Sequence, residues 1–313
     1  MIPYLIRRLG WGLVVLVGVM LVTFVLTYVI PADPARMIAG ANASVADVAA
    51  IRRSLGLDRP FLEQLASYIA NVLHGDFGFS YHQHRAVLPL LLERFPATAQ
   101  LALAGLAIEI AIGLPLGILA ATRRGGFWDR SATIVTVVLV SAPSFWVGYL
   151  LLEAVFQGHQ SFGIDVLPLG GGYKPFDLRY LFLPALTLGF GGAAYYNRLM
   201  RATMLDELHR DYVRTARAKG LHERTVLWRH ALRNAIGPVL IQVGLDLGFF
   251  LGGVVIVEQV FSWPGIGKLA VDSIVTADVP LIIGTVLFGT LCIVTANLFV
   301  DILNAVSDPR IRF

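Results

Sequence analysis

Six long apolar segments constrain the fold of this chain more than any other feature of its sequence. A helix of about twenty apolar residues is long enough to cross the ~30 Å hydrocarbon layer of a bilayer. Of the 313 residues, 56% are hydrophobic and only 15% are charged, which leaves too few charges for the surface of a water-soluble protein. The sequence therefore predicts an all-α polytopic membrane protein with six transmembrane helices. These cover approximately residues 11–30, 97–121, 132–156, 181–200, 239–257 and 281–300.

The spacing of the apolar segments divides the chain into three parts. Residues 1–30 comprise an N-terminal segment and the first transmembrane helix, and residues 31–96 are expected to form an extracytoplasmic loop with short helices. Residues 97–313 hold the other five transmembrane helices and a polar loop over residues 203–238. Two arginines precede the first apolar run, as in a signal peptide, but the run is long and lacks a small-residue cleavage site. This pattern favours a signal-anchor helix.

The distribution of positive charge predicts which side of the membrane each loop faces. With both termini inside, the cytoplasmic segments contain sixteen of the twenty-five Lys and Arg residues, and the much longer outside loops contain nine. Positive residues are enriched on the cytoplasmic side of membrane proteins. We therefore expect the N- and C-termini to be cytoplasmic.

The first outside loop is too long to be a simple connection and is predicted to contain two helices. Ser44 and Asp47 have the spacing of a capping box, which begins a helix that ends near Gly56. Pro60 is suited to the start of a second helix, which runs to about His74. This second helix either covers the surface of the spans or has a role at their outer mouth. Its apolar residues on one face are Phe61, Leu65, Ile69 and Val72.

A basic stretch at residues 210–238, called the 210–238 segment below, is too charged to lie in hydrocarbon but is patterned as helix. Its arginines recur at helical spacing beside a stripe of small apolar positions, Val213, Ala216 and Gly220. Because small side chains allow close approach, we expect this stripe to face another protein. Gly220 also fits the position of a helix C-cap.

A second helix is predicted over residues 223–235, and Gly237 and Pro238 are expected to end it. The resulting helix, glycine turn and helix has two other interpretations. It is typical of a DNA-binding unit, but a unit tethered to the membrane at both ends does not readily enter a major groove. A positively charged cytoplasmic loop also needs no partner, because such loops occur for topological reasons alone.

Residues 211–220 read Asp-Tyr-Val-Arg-Thr-Ala-Arg-Ala-Lys-Gly. This run resembles the cytoplasmic loop of ABC importer permeases, in the branch that transports dipeptides, oligopeptides and nickel. The general family pattern begins Glu-Ala-Ala, and Arg214 stands here where that glutamate would be. The resemblance implies a coupling helix that docks into a groove on a separate ATPase subunit. The residues that it assigns to coupling are Tyr212, Arg214, Thr215, Ala216, Ala218, Lys219, Gly220 and Leu221.

Further landmarks of the same branch follow in order along essentially the whole chain. One departure is Ala32, which stands where the family has glycine. The resemblance implies a fold like that of type I ABC importer permeases and a location in the bacterial inner (plasma) membrane. The landmarks are PADP at 31–34, LGLDRP at 55–60, GDFG at 75–78, RFPAT at 94–98, EQVFSWPGIG at 258–267 and DPRIR at 308–312.

The resemblance also implies the partners and the energy source. They are a second homologous permease subunit, two ATP-binding-cassette ATPase subunits and an extracytoplasmic substrate-binding protein. Residues 265–268, Gly-Ile-Gly-Lys, are not a phosphate loop, because Ser262 and Leu269 stand where that motif needs Gly and Ser or Thr. We therefore expect no cofactor and no enzymatic activity in this chain, with ATP and magnesium bound by the partner ATPases. The histidines include no helical zinc-binding pair, so no metal site is predicted.

Acidic residues within the apolar segments are the candidates for a translocation pathway. An ionised carboxylate at the bilayer centre costs at least ~2.5 kcal/mol, so Glu109, Glu153 and Asp246 are expected to face other helices, water or a partner chain. Asp246 is the strongest candidate, because Gly244 and Gly248 beside it permit close helix approach, and the resemblance implies that the fifth span lines the pathway. It either attracts the amino group of a peptide or a cationic solute, or hydrogen-bonds to a neighbouring span.

A turn is predicted on the outer side at Phe261, Trp263, Pro264 and Gly265, because Trp-Pro-Gly favours a turn. The resemblance implies that this turn shapes an outer gate. Turn formation alone is the alternative.

Together these features predict the permease subunit of an ATP-driven importer of dipeptides or oligopeptides, forming half of the translocation pathway. Nickel, glutathione or an oligosaccharide are alternative substrates within the same family. A secondary transporter or channel, driven by an ion gradient through the intramembrane carboxyl groups, is an alternative of another class. A membrane-embedded enzyme would need a nucleophile with a base, or a metal set, and the sequence offers neither.

Overall fold

The computed structural model describes residues 2–29, 34–40, 43–54, 56–163, 167–170 and 172–307, and most of these are helical. The first part contains α1 (Ile2–Val29), α2 (Pro34–Ala39), α3 (Val45–Ser54), α4 (Phe61–Leu73) and a hairpin of β1 (Phe79–Ser80) and β2 (Arg85–Ala86). The long helices α5 (Val87–Thr122), α6 (Phe127–Ser141), α7 (Ser144–Phe162) and α8 (Leu178–Leu208) follow. The last part contains α9 (Asp211–Ala218), α10 (Glu223–Thr225), a π-helical turn (Val226–Ala231), α11 (Leu232–Ala235), α12 (Gly237–Leu251), α13 (Val255–Val260), α14 (Ile266–Val275) and α15 (Val279–Ser307).

Three of the sequence landmarks fall at least partly outside the described residues. The predicted motif at 31–34 is described only at its last residue, and the motif at 55–60 lacks its first. The motif at 308–312 lies wholly outside them.

The centre of the bundle is the long contact between α5 and α8. Two glycines of α5 bring the backbones together: a Cβ added to Gly113 would lie 2.7 Å from the carbonyl oxygen of Ala193, and one added to Gly117 would lie 2.7 Å from that of Asn197. Small residues at helix crossings allow this approach, which increases van der Waals contact where no water drives association. The closely packed pair of helices α5 and α8 therefore forms the centre around which the candidate site is arranged.

The predicted apolar spans are only partly single helices. Within the described residues, three helical stretches are long and apolar enough to cross a membrane by themselves: 6–26, 87–122 and 279–302. A fourth arises if the helical runs 223–235 and 237–251, which meet at a 49° bend, are counted as one span. The predicted span at 181–200 lies inside α8, where glycine, tyrosine and asparagine residues lower its apolar character. That all six segments cross the membrane remains a prediction.

Two predicted spans are broken by the structure, and their continuity was wrongly predicted. The segment 132–156 is divided at Ala142 and Pro143 into α6 and α7, because proline lacks an N–H and disfavours helical backbone in the residue before it. The segment 239–257 ends at Leu251, and a positive φ of 114° at Gly253 separates α12 from α13. Both breaks leave backbone groups outside regular helix within apolar sequence.

The two helices predicted in the first loop are confirmed. The Ser44 hydroxyl accepts a hydrogen bond from the Asp47 N–H at 3.2 Å, and the Asp47 carboxylate accepts one from the Ser44 N–H at 3.2 Å. The ring of Phe61 on α4 lies 5.4 Å from that of Phe24 on α1, and Tyr68 stacks on Phe24 at the same distance. The apolar face of α4 therefore covers α1. This agrees with the first of the two expectations for this helix, that it covers the surface of the spans.

The short hairpin was not predicted, and it is attached to the start of α15. The buried Asp278 carboxylate accepts hydrogen bonds from the Ser80 hydroxyl at 2.5 Å and from the His82 N–H at 3.1 Å. Burial, with the nearby Asp278 charge, raises the pKa of Tyr81 to about 12. Among the described residues no three His, Cys, Asp or Glu side chains come together as a metal site would require.

Candidate functional site

The first helix of the 210–238 segment, α9, packs against the rest of the chain through its small residues. Val213 is fully buried and Ala216 is 5% exposed, and both belong to the main hydrophobic core. The expectation that these two small side chains face another protein was therefore wrong. Their pattern indicated a buried face correctly, but periodicity alone does not tell whether the same chain or a partner buries it.

The other predicted coupling residues lie on the exposed side of α9 and the turn that follows. Leu221 is 40% exposed, and the side chain of Arg214 is 76% exposed. The remaining exposed members of the predicted set are Tyr212, Thr215, Ala218, Lys219 and Gly220. This edge is the part of the segment that another protein is free to contact.

Gly220 ends α9 as the sequence predicted. Its φ is +74°, a left-handed conformation that glycine adopts without strain, and no atom lies within 4 Å of an added Cβ. The N–H of Leu221 donates to the carbonyl of Ala216 at 3.4 Å, as in a Schellman C-cap. Across the turn the Arg217 guanidinium binds the Glu223 carboxylate at 2.7 Å and lowers the pKa of Glu223. The turn therefore has one defined geometry on an exposed surface.

Tyr212 connects α9 to both neighbouring helical elements. Its hydroxyl donates to the Glu207 carboxylate at the end of α8 and accepts from the side-chain amide of Asn234 on α11 at 2.9 Å. Burial, followed by the hydrogen bond to Glu207, raises the pKa of Tyr212. Tyr212 thus links α9 to both α8 and α11 by hydrogen bonds.

The second helix of the segment is confirmed over Glu223–Ala235, but its middle turn is π-helical, which the sequence did not indicate. It ends before Gly237, where the chain bends by 49° into α12. Trp228 lies in the π-helical turn and is 63% exposed. Sequence reasoning missed this residue, although a tryptophan within a charged stretch was a signal for a contact surface.

Asp246 lies where α12 meets α8 and is partly buried. Its carboxylate accepts a hydrogen bond from the Tyr196 hydroxyl at 2.7 Å and another from the Gln242 side-chain amide at 2.8 Å. The expected hydrogen bond to a neighbouring span is therefore present. Exposed Leu245 and Phe249 flank this polar group on α12, so the carboxylate is near a face that this chain alone leaves uncovered.

Gly244 and Gly248 lie on the other side of α12 and pack against α15. A Cβ on Gly244 would lie 2.1 Å from Val300, and one on Gly248 would lie 3.1 Å from Ala296. Both glycines are buried. They allow close helix approach, as predicted, and the helix that they approach is one of the same chain.

Glu109 faces other helices, which is one of the surroundings expected for it, but one of its carboxyl oxygens has no hydrogen-bond partner. The residue is 2% exposed, and its Oε2 atom is buried with no hydrogen bond. Its carboxyl group fills the space over Gly192 of α8, where an added Cβ would be 1.8 Å from Oε1. Tyr196 lies one turn after Gly192 on α8 and donates to Asp246, so the two carboxyl groups contact the same stretch of α8. Glu153 is separate from this group: it is exposed on α7 and accepts a hydrogen bond from Gln157 at 2.8 Å.

The predicted outer turn is fixed by buried hydrogen bonds. Phe261 and Trp263 are 3% and 1% exposed, and the Trp263 indole N–H donates to the carbonyl of Ala97 at 2.8 Å. Gly265 is needed for close packing, since an added Cβ would lie 2.3 Å from Glu258. Pro264 beside it is partly buried. The turn is therefore held against the start of the second predicted span.

Glu258 is at the centre of the hydrogen bonds around the outer turn. It was identified in the sequence only as the first residue of the motif at 258–267. Its buried carboxyl group accepts hydrogen bonds from the Thr98 hydroxyl and from the Lys268 N–H, both at 2.8 Å. The Thr98 hydroxyl in turn accepts from the Ile266 N–H at 2.8 Å. We call this group the Glu258 clasp. The Gly-Ile-Gly-Lys sequence thus supplies two backbone donors, Ile266 N–H to the Thr98 hydroxyl and Lys268 N–H to the Glu258 carboxyl group.

A second ion pair joins α6 to α8 near the 210–238 segment. The Arg201 guanidinium donates to both oxygens of Asp129, at 2.7 and 3.0 Å, and the Gly125 N–H donates at 2.9 Å. These contacts, first that with Arg201, lower the pKa of Asp129 to about 2. Asp129 precedes the apolar part of its segment, so the pair lies at the end of the bundle.

Comparison with known proteins identifies the family. Residues 113–313 match the family "Binding-protein-dependent transport system inner membrane component", and residues 1–102 match the N-terminal domain of that membrane component. The chain is 39% identical over 334 residues to a probable D,D-dipeptide transport system permease protein of Escherichia coli K12, covering 98% of this chain and 97% of the relative. It is 40% identical over 315 residues to a glutathione transport system permease protein of Pectobacterium atrosepticum, covering 100% of both.

Solved structures show the same fold at lower identity. An inward-facing methionine ABC transporter matches with a TM-score of 0.56 and 16% identity, covering 71% of this chain and 98% of that one. An amino acid ABC transporter matches with a TM-score of 0.52 and 18% identity, covering 71% and 94%. The predicted all-α polytopic permease fold is thereby confirmed.

Members of this family are inner membrane components that work with a binding protein and an ATPase, and the ATPase subunits use the ATP. The ion-gradient transporter and the membrane enzyme are therefore excluded as the class of this protein. The chain belongs to the family of binding-protein-dependent transport system inner membrane components, and it is a permease subunit of an ABC importer.

Proposed function

We propose that this chain forms half of the translocation pathway of an importer for dipeptides or other short peptides, and that its 210–238 segment transmits ATPase closure to the spans. The observation that carries the proposal is the structure of that segment. Its inner face is part of the core of the chain, while its outer edge and the Gly220 turn are exposed. Such a segment passes a force from a docked partner to the helices that it contacts.

The proposal of a peptide substrate is supported by the names of two relatives. Two curated relatives that match over nearly the whole chain are named for a D,D-dipeptide and for glutathione, and both compounds are short peptides. A short peptide with a free amino group is accordingly the substrate class that we propose.

The proposal of a second homologous permease subunit is supported by the surface of α12. Asp246 is partly buried there beside exposed apolar residues such as Phe249. A polar group in a membrane span is stable when it faces other helices or water rather than lipid. We therefore place the partner permease and the pathway on this side of α12, with both termini and the 210–238 segment in the cytoplasm, as the charge distribution predicts.

The proposed mechanism follows from the contacts of the segment. An ATPase subunit docks on the edge that includes Arg214, Lys219 and Leu221. Closure of the ATPase pair moves α9, and Tyr212 carries the movement to α8 and α11 through its two hydrogen bonds. The bend at Gly237 then reorients α12, so that access to Asp246 alternates between the two sides of the membrane.

Two substitutions of Gly220 test this proposal. Valine disfavours the left-handed backbone of this turn by ~1–2 kcal/mol, whereas asparagine tolerates it. We expect Gly220→Val to lower ATP-driven uptake of a labelled dipeptide into proteoliposomes by about tenfold, and Gly220→Asn to transport nearly as the wild type does. ATPase activity stimulated by the binding protein is measured in parallel.

The importer complex should still assemble in both variants, because the side chain at position 220 points away from the chain. Normal uptake and normal stimulated ATPase activity in Gly220→Val would contradict the coupling role. Uptake by this chain alone under an ion gradient, without ATP, would contradict the whole proposal.

A further inference from the structure

An apolar groove lies between α7, α8, α12 and α13, and two acidic side chains, Glu109 and Asp246, contact α8 close to it in sequence. The groove has a volume of about 320 Å³ and follows the two breaks between helices, α6–α7 and α12–α13. Its walls are formed mainly by apolar side chains, including Val147, Leu188, Phe190 and Phe249. The volume suits one amino-acid side chain with part of a backbone rather than a whole protein segment.

Residues that line the groove and residues that carry or contact the carboxyl groups are close together along both α8 and α12. On α8, Gly191 lines the groove, and the next residue, Gly192, is covered by the carboxyl group of Glu109. On α12, Phe249 lines the groove, and Asp246 lies one turn before it. Tyr196, one turn after Gly192 on α8, donates to Asp246. Along α8 and α12, both carboxyl groups are therefore on the side of the groove that is nearer to the 210–238 segment.

The acidic pair lacks a cationic partner within the described residues. Asp246 accepts hydrogen bonds only from Tyr196 and Gln242, both uncharged donors, and Oε2 of Glu109 is buried without any partner. Two neighbouring carboxyl groups in a low-dielectric site do not both ionise without a compensating charge. A buried acceptor without a donor also disfavours the empty site. A ligand with a positive charge and several N–H donors would relieve both effects.

We propose that Glu109, Asp246 and this groove form a binding site inside the permease for a primary ammonium group that carries an apolar side chain, as at the free N-terminus of a short peptide. The inference rests on the proposed function, because it assumes that a peptide passes this chain. Asp246 and Glu109 bind the ammonium group, and the groove takes the side chain of the first residue. Selection for a free N-terminus then occurs in the membrane as well as in the binding protein.

A substitution of Gly191 tests whether the groove takes part in binding. This residue is exposed on α8, its backbone is helical, and no atom lies within 4 Å of an added Cβ. Gly191→Leu therefore fills the groove without a clash in the folded chain. Glu109→Gln and Asp246→Asn replace each carboxyl group with an uncharged amide of nearly the same shape, and Asp246→Glu retains a carboxyl group. Glu153→Gln is the matched control, because Glu153 is an exposed carboxylate on α7 away from the groove.

The experiment measures equilibrium binding to the purified permease–ATPase complex in lipid nanodiscs, without binding protein and without nucleotide. The probes are radiolabelled leucyl-alanine, N-acetyl-leucyl-alanine and glycyl-alanine. We expect N-acetylation to weaken binding by at least about tenfold, since a charge-assisted hydrogen bond is lost. Glu109→Gln and Asp246→Asn should each weaken leucyl-alanine binding about tenfold and reduce the preference over the acetylated probe. Asp246→Glu and Glu153→Gln should retain that preference.

Gly191→Leu should weaken leucyl-alanine binding several-fold and leave glycyl-alanine binding unchanged. An unchanged preference for the free amine in both Glu109→Gln and Asp246→Asn would overturn the inference, as would equal losses for the free and acetylated probes. Absence of binding to the wild-type complex would also overturn it. ATP-driven uptake of leucyl-alanine by that same complex would still leave the proposed function intact, so the two failures are distinguishable.

Discussion

Two buried glutamates of this chain have opposite environments. Glu258 is fully buried, and both of its carboxyl oxygens accept a hydrogen bond at 2.8 Å, from the Thr98 hydroxyl and the Lys268 N–H. Glu109 is almost as buried, yet its Oε2 atom has no partner. The first carboxyl group binds segments of the same chain together, whereas the second is held in place by the shape of the site over Gly192.

The difference separates a structural group from a group that is prepared for a ligand. A buried polar group with all its hydrogen bonds made adds to stability and fixes one conformation. A buried acceptor without a donor lowers stability, and such groups persist at sites of function. The comparison predicts that the same conservative substitution has different effects at the two positions.

The largest expected effect is that of Glu258→Gln. The amide donates where the carboxyl group accepts, so it cannot satisfy both Thr98 and Lys268, and we expect a loss of ~2–3 kcal/mol in the free energy of unfolding. Thermal unfolding of the purified complex in detergent measures this loss. An unchanged melting temperature relative to the wild type would show that the clasp is not structural.

A smaller loss is expected for Trp263→Phe, which removes the hydrogen bond to the Ala97 carbonyl and retains most of the buried ring. One neutral hydrogen bond is worth ~1 kcal/mol. Trp146→Phe is the matched control, because that tryptophan is 52% exposed on α7. Equal melting temperatures for the two variants would indicate that the indole N–H contributes nothing to the outer turn.

Asp129→Asn should cost at most ~1 kcal/mol, because Arg201 is partly exposed and water screens the pair. The pH dependence is more informative. The folded-state pKa of about 2 lies below the ordinary value of 3.8, so the contact stabilises the chain above about pH 4, and this contribution is lost as the pH falls towards 2. Melting temperatures of the wild type and the variant should therefore converge in acid. A difference that is the same at pH 7 and pH 3 would argue against the ion pair.

The smallest expected effect on stability is that of Glu109→Gln. Because no hydrogen bond of Oε2 is lost and a neutral amide is less costly to bury than a carboxylate, we expect a melting temperature equal to or above that of the wild type. Together with the loss of leucyl-alanine binding, this result would complete the contrast with Glu258. Marked destabilisation by Glu109→Gln would instead assign Glu109 a structural role.

Short-range sequence patterns predicted much of the fold and part of the candidate site. The turn at Gly220 was predictable because a left-handed C-cap follows from glycine at the end of a helical pattern, and its φ of +74° agrees. The capping box at Ser44 and the start of α4 after Pro60 depend on residues only a few positions apart. The breaks at Pro143 and Gly253 were missed because an apolar run shows length and composition, but not where a helix within it is interrupted.

The sequence by itself determined that this protein is a helical membrane permease of a known family, with a helix, a glycine turn and a helix between its fourth and fifth apolar segments. Only the tertiary structure decided what each helix face packs against. It buries Val213 and Ala216 in the same chain, packs Gly244 and Gly248 on α15, and pairs Tyr196 with Asp246. The physical reason is sequence separation: Asp246 and its tyrosine are 50 residues apart, and Glu258 and Thr98 are 160 apart. Periodicity identifies a buried face, but the packing of distant helices determines its partner.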